Sequence, residues 1–536
     1  MGEALSRSDV LAHLDGRAFD AVVIGGGING VAVARDASLR GLSVCLLEQG
    51  DFASGTSSKS TKIAHGGLRY LRHLEFGLVR ESQRERRVLR ALLPHLVQPL
   101  SFCYPVYKGG PDAFWKVRLG VAVYGFLGGP GGVERHRGLS ADAALAANPL
   151  VRGDGLTGAI RYWDDRMDDA RICLETALSA EAAGAVCLSY VGAEEVRRDG
   201  RGFEVDYRDV PGGARGTVRC GAIVNCAGPW SDAVLSRLAG VPTHNLALTK
   251  GVHIVIPRLS GEDALILENP GDGRTFFAIP WEDATLVGTT DTRYEGDPAG
   301  VQVETEDVAY LLEAAGHYLP RAGIRREHVV HAFAGLRPLV APRDASVAEG
   351  AISRRHRVMV GPEGVVTLIG GKYTTFRAMA EEATDALMEA LGRPRGKSRT
   401  RTEPYFEAVA PKEDRRADPE LWQWLAGRYG PRAGEAYDLC LSAEALRGPV
   451  IDGQPLRLGD IVYAVQGEKA LTLGDVIYRR TRLAWRPELS AALVEEIAGA
   501  VAKHLPAGER LALGDAAAVG KEGWRRAGSR AQDQGV

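Results

Sequence analysis

The residues best suited to chemistry form a phosphate cradle near the start of the chain. Gly25-Gly26-Gly27-Ile28-Asn29-Gly30 fits the spacing GxGxxG, and Glu48 stands 23 residues after Gly25. Each position has a physical job in a dinucleotide site. Gly25 permits a tight turn. Gly27 lets backbone approach a pyrophosphate at the positive end of a helix. Gly30 lets that helix pack on its strand, and Glu48 offers a carboxylate to ribose hydroxyls. The bland alternative is a glycine-rich turn that holds nothing.

The segment after Glu48 separates a flavin from a nicotinamide. Residues 50–72 (GDFASGTSSKSTKIAHGGLRYLR) are dense in Ser, Thr and Gly. Such a segment supplies hydroxyl and backbone N–H donors along the ribityl–pyrophosphate chain of a flavin cofactor. Two more glycine-rich strand ends, Cys226-Ala227-Gly228-Pro229 and Gly370-Gly371-Lys372, would bring backbone near the adenosine and isoalloxazine ends. Read singly, each is an ordinary strand-end turn.

The elements around these motifs are legible from periodicity. Residues 20–24 (DAVVI) read as a buried strand, 31–40 as a helix stopped by Gly41, and 43–47 as the next strand, which opens a doubly wound sheet. Residues 80–100 read as an amphipathic helix, 168–184 as a helix capped by Asp168 or Asp169, 185–195 as a strand, and 222–226 as a buried strand. From about 241 to 370 the pattern changes to strand pairs, with hairpins expected across Glu282-Asp283 and across 361–364. Asp418-Pro419 is a helix start, and 487–505 has helical spacing.

This gives an α/β organisation. A Rossmann-like FAD-binding domain covers 18–390, interleaved with an antiparallel substrate domain drawn mainly from 241–370 and partly from 75–165. A basic linker at 391–416, a helical C-terminal domain at 417–512 and a disordered tail at 513–536 complete it. A chain of 536 residues exceeds one core. Its formal charge of −2 gives no case for nucleic acid. Seven scattered Cys without a CxxC pair argue against a zinc site and a disulfide framework, and fit a reducing, cytoplasmic location. The N-terminus lacks a signal-peptide pattern, and no window is apolar enough to span a bilayer, so membrane contact would be peripheral. Residues 115–127 read as a core helix, with an interfacial segment as the alternative; the basic stretches 393–402 and 478–482 are solvated faces or lipid contacts.

The motifs IGGGING, ASGTSSKSTKIAHGGLRYL, NCAGPW, VGTTDTRY, GLRPL and GGKYTTFR occur in an order that resembles the FAD-dependent glycerol-3-phosphate dehydrogenases, over roughly 18–390. LTLGDVIYRRTRL at 471–483 extends the resemblance into the C-terminal part. The resemblance implies a noncovalent FAD in a two-layer fold like that of D-amino-acid oxidase. It implies oxidation of sn-glycerol 3-phosphate to dihydroxyacetone phosphate, with electrons passed to a membrane quinone at the inner face of the cell membrane. A homodimer is compatible with it. The implied substrate contacts are Arg69, Tyr70, His253, Arg337, Arg354 and Lys372. The implied FAD contacts are Gly25, Gly27, Gly30, Glu48, Thr56, Ser57, Ser58, Ser60, His65, Gly67, Gly228, Gly371, Lys372 and Thr374. The chain departs from the family pattern at Arg355-His356, where an acidic residue and a Tyr often stand.

The reaction would need these residue types. A phosphate monoester carries about −1.5 to −2 charge near neutrality, and planar Arg donors grip such a group best. Each Arg could instead pair with an internal carboxylate. His253 is the candidate base, because an imidazole titrates near the operating pH; it could equally be a buried structural His. Lys372 would steady negative charge on the ring or the substrate oxygen. Competing readings are an oxidase that reduces oxygen to peroxide, an amine or amino-acid oxidase on the same fold, and a non-catalytic flavin-binding regulator.

Overall fold

The computed structural model describes residues 7–110, 112–129, 136–200, 202–239, 243–261, 263–342, 353–361, 364–412, 414 and 417–505, without the side chains of Arg69, Arg72, His73 and Ala239. The tail expected at 513–536 lies outside the described residues. The chain divides into two units. The first comprises 1–58, 169–248 and 337–406, and the second 59–168, 249–336 and 407–536.

In the first unit every side chain from Ala21 to Ile24 is buried, as befits a strand covered on both faces. Strand Ala18–Ile24 pairs in parallel with Val44–Leu47 on one side and Arg215–Asn225 on the other. Val186–Leu188 and Val366–Gly370 extend the parallel sheet outward at either end. Helices Ile28–Leu39, Asp169–Ala182 and Phe376–Ala390 pack together through the first of them. Two expectations change here. Residues 185–195 form two strands, Val186–Leu188 and Val191–Asp199, because Tyr190 turns the chain with φ of 57°. The hairpin His356–Val360 with Val366–Gly370 belongs to this parallel sheet and not to the strand-pair sheet.

The expected linker is irregular, yet its first part is fastened down. Arg35, 3% exposed, donates to the carbonyls of Glu403 at 2.9 Å and Pro404 at 3.0 Å. Its guanidinium lies 4.3 Å from the Tyr405 ring centroid, and Ser398 donates to Asp36 at 2.7 Å.

The second unit is built on a ten-stranded sheet. Thr275–Trp281 and Ala284–Gly288 form the expected hairpin, and Leu246–Pro257 and Ala264–Glu268 flank it antiparallel. The sheet is not wholly antiparallel, since Ala264–Glu268 runs parallel to Val97–Tyr107. That last strand also corrects the helix expected at 80–100. The helix is Phe76–Leu92, and Pro94, which restricts the residue before it, ends it before the strand begins at Val97. One hydrophobic cluster joins sheet residues such as Phe102, Tyr162 and Leu286 to Ile461, Leu473 and Ile477 of the C-terminal helices. Helix Pro419–Tyr429 starts where the sequence marks it, with the Asp418 carboxylate accepting from Leu421 N at 3.0 Å. All seven Cys are buried thiols. Burial pushes the thiols of Cys103, Cys220 and Cys226 up to about 12, and raises those of Cys45 and Cys440 as well.

A buried polar network anchors the turn His65-Gly66-Gly67. Tyr124, fully buried, accepts from Gly66 N at 2.6 Å and donates to the Asp164 carboxylate at 2.7 Å. Arg86 donates to the same carboxylate, and Arg90 to the neighbouring Asp165. Burial, only partly offset by Arg86 and Tyr124, lifts the Asp164 carboxyl to about 6. The folded protein therefore holds this proton more readily than the unfolded chain, for which a carboxyl titrates near its ordinary 3.8. The contribution is complete below that value and is lost as pH rises through about 6. The stability advantage of wild type over Asp164→Asn is expected to shrink across this window by at most about 1.4 kcal/mol per pH unit. Denaturant unfolding at several pH values measures it, and a pH-independent difference contradicts it.

Candidate active site

In the first unit the strand Ala18–Ile24 delivers the chain into Gly25, whose φ of +107° only glycine adopts easily. A Cβ on Gly25 would lie 2.6 Å from Cys226 O, and one on Gly30 would lie 1.9 Å from Gly25 O. Strand end, turn and helix therefore touch through bare backbone. Gly27 caps the helix Ile28–Leu39 without a side-chain hydrogen bond, and Ile28 N donates to Ser57 Oγ at 2.9 Å. The Glu48 carboxylate is held by Gly26 N at 2.6 Å and Gly50 N at 2.7 Å. Thr56, Ser57 and Ser58 form one short 3-10 turn, and Gly228 starts another next to the Cys226 strand end.

The same unit gathers part of the cationic set. Arg354 lies just before strand His356–Val360, and Lys372 just after its partner Val366–Gly370. Both therefore stand at one end of the hairpin. A Cβ on Gly370 would lie 2.9 Å from Arg355 O and 3.0 Å from Val340 Cγ2, so the strand His331–Val340, which bears Arg337, reaches the same place. Lys372 caps the 3-10 turn Tyr373–Thr375, in which Thr374 is buried, and Gly371 has φ of +85°. Tyr373 Oη donates to Asp169 O and ties this turn to helix Asp169–Ala182.

Ser60, His65, Gly67, Arg69, Tyr70 and His253 belong to the second unit. Gly67, with φ of 82°, opens the 3-10 segment Leu68–His73 that bears Arg69 and Tyr70. The Arg69 side chain lies outside the described residues. His253, on the strand Leu246–Pro257, is 2% exposed. Its ring stacks on Phe333 with centroids 5.1 Å apart and an interplanar angle of 17°. Phe333 in turn stacks on Trp485, and Lys62 Nζ lies 5.6 Å and 5.5 Å from those two ring centroids. His331 is half-buried, and desolvation with the charges of Lys62 and Lys59 lowers its imidazole to about 4, so it is neutral near pH 7.

Sequence reasoning missed two groups. Thr61, whose hydroxyl lies 3.0 Å from His253 Nε2, was hidden inside a Ser/Thr-rich run. The anchor Tyr124–Asp164–Arg86 left one readable sign, an Asp164-Asp165 pair within an apolar strand. Residues 393–402 are mostly exposed, as a solvated face is, with cations paired along the surface, whereas 478–482 is largely engaged within the chain. Arg393 pairs with Asp20, Arg395 with Glu389, Arg479 with Asp475 and Arg482 with Asp168, while Arg480 is 2% exposed and donates to Glu468 O.

The glycine cradle fits an FAD. Backbone lies open at the positive end of a helix, where a pyrophosphate is favoured, and a fixed carboxylate stands one strand away for a ribose. Gly30→Ala is expected to force strand and helix apart and to yield protein that purifies with little flavin. Flavin absorbance per polypeptide measures this, and full occupancy in that variant would contradict the fit.

Two family models match the chain: FAD dependent oxidoreductase over residues 20–386, and the C-terminal domain of alpha-glycerophosphate oxidase over 365–510. A glycerol-3-phosphate dehydrogenase of Synechocystis sp. is 37% identical, the match covering 88% of this chain and 90% of that one. An aerobic glycerol-3-phosphate dehydrogenase of Staphylococcus epidermidis is 34% identical, with 89% of each covered. The solved structure of the glycerol-3-phosphate dehydrogenase from Bacillus halodurans, complexed with FAD, superposes with a TM-score of 0.72 at 28% identity, covering 93% of this chain and 92% of that one. With the cradle, the fold and these relatives in agreement, the chain is a member of the FAD-dependent oxidoreductases, in their glycerol-3-phosphate dehydrogenase family.

Proposed function

We propose that this protein oxidises sn-glycerol 3-phosphate to dihydroxyacetone phosphate and passes the electrons to a membrane quinone. The carrying observation is its similarity to glycerol-3-phosphate dehydrogenases along nearly the whole chain. Bound FAD supplies the hydride acceptor. Gly25, Gly27, Gly30, Glu48, Thr56, Ser57, Ser58, Ser60, His65, Gly67, Gly228, Gly371, Lys372 and Thr374 would hold it. Arg69, Arg337 and Arg354 bind the phosphate with paired N–H donors, and Tyr70 adds a hydroxyl. That grip fixes the carbinol carbon and lowers the entropy cost of reaction. His253 takes the hydroxyl proton, and Lys372 steadies the negative charge that develops.

A membrane contact on the helix Phe114–Gly128 belongs to the same proposal. Val117, Val121, Tyr124 and Gly128 bury one face, whereas Trp115, Leu119 and Phe126 are 63%, 57% and 84% exposed. The helix bears Lys116 and Arg118 and no acidic residue, which suits an anionic lipid surface. Leu74 and Phe76 are further exposed apolar side chains in the same unit, 71% and 45% accessible. Among the described residues no helix is long and apolar enough to cross a membrane.

Anaerobic addition of glycerol 3-phosphate to the yellow protein is expected to bleach the flavin, and an unbleached spectrum overturns the substrate. Peroxide formation in place of quinone reduction would identify an oxidase. Arg337→Ala is expected to raise KM by about tenfold or more with FAD still bound; an unchanged KM removes Arg337 from the site. The combined variant Trp115→Glu, Leu119→Glu and Phe126→Glu is expected to lose sedimentation with anionic vesicles while retaining reduction of a soluble dye. Undiminished sedimentation removes this helix from the contact.

A further inference from the structure

We propose that Thr61 is a catalytic residue, the hydroxyl through which His253 receives the substrate proton. The inference rests on the proposed dehydrogenase reaction with His253 as base. The imidazole is walled in on several sides. The residue is 2% exposed, and its ring lies flat on Phe333. On the strand paired with it, a Cβ at Gly288 would come within 2.2 Å of His253 Cδ2, so the ring fills the space above that glycine. Nδ1 is turned into the interior. Nε2 meets the hydroxyl of Thr61 at 3.0 Å. Thr61 is only half-buried, so it is the more accessible member of the pair.

A base so enclosed does not need to touch the substrate. A hydroxyl carries one donor and two acceptor sites and rotates to suit, so it can accept one proton while giving up another. In the step proposed, the substrate O–H bond breaks and its proton goes to Thr61 Oγ1. The original Thr61 hydroxyl proton passes to His253 Nε2, giving an imidazolium. FAD held in the glycine cradle would supply the acceptor for the hydride lost from C2, and the C–O bond would become a carbonyl. Protons and electrons balance, and Thr61 ends as it began. The imidazolium would form beside the Phe333 face, where a ring quadrupole favours positive charge.

The test compares Thr61→Val, Thr61→Ser and His253→Asn, each checked for FAD content by absorbance. Histidine-ring 15N NMR follows the pair without turnover, the His253 signal being assigned by its absence from His253→Asn. Thr61→Val is expected to shift the Nε2 resonance and the His253 titration. It is also expected to lower kcat by about a hundredfold, with KM for glycerol 3-phosphate within about twofold of wild type. Thr61→Ser restores both. An unmoved His253 resonance in Thr61→Val overturns the assignment of Thr61, whatever the rates. A moved resonance with kcat unchanged in both Thr61→Val and His253→Asn overturns His253 as the base, and the relay with it. A fall in kcat for His253→Asn alone keeps the base and overturns the relay.

Discussion

The carbonyl oxygen of Gly25 occupies the place where a side chain at position 30 would begin. Among the described glycines of the first unit, no other would meet a neighbour so closely. This contact brings the helix Ile28–Leu39 against the end of the central strand, and so points its positive N-terminal end beyond the turn. The neighbouring features answer to that placement. Glu48 accepts from two backbone amides, which fixes its carboxylate beside the turn. The strand ends at Cys226 and Gly370 also lie close to neighbouring backbone, a Cβ on Gly25 falling 2.6 Å from Cys226 O and one on Gly370 2.9 Å from Arg355 O.

The second unit solves a different problem. Its turn at Gly66 must hold an unusual shape without the help of regular pairing, and it does so with charge. A carboxylate, a guanidinium and a phenol, all nearly solvent-free, meet at one amide. Isolated, any of them would be costly to bury; together each satisfies the next. The aromatic stack His253–Phe333–Trp485 is the apolar counterpart, fixing an imidazole by shape. One unit thus relies on close backbone approach and the other on desolvated side chains.

How much of this could be read in the residues depends on range. The cradle was legible because its requirements are local: a strand, glycines at fixed spacing, a helix and an acid one strand later. The hairpin across Glu282-Asp283 and the cap at Asp418 were legible for the same reason. What escaped was long-range. Nothing near residues 357–369 says that their hairpin joins the parallel sheet, because that is decided by pairing with Arg215–Asn225. The strand at Val97 was masked by apolar residues that continue the helical pattern past Pro94. Thr61 and His253 lie 192 positions apart, so neither announces the other. Arg35 and Tyr405 are further apart still, which is why an irregular basic segment looked like a tether when part of it is packed.

The seven enclosed thiols have a consequence of their own. Thiolate is the reactive form, and a sulfhydryl kept neutral and out of reach of water reacts with electrophiles only when its surroundings open. Because these sulfurs are spread over the parallel sheet, the helix Asp169–Ala182, the strand Val97–Tyr107 and the C-terminal helices, alkylation patterns would report which region breathes first. The molecule carries its own set of opening sensors, distributed through both units.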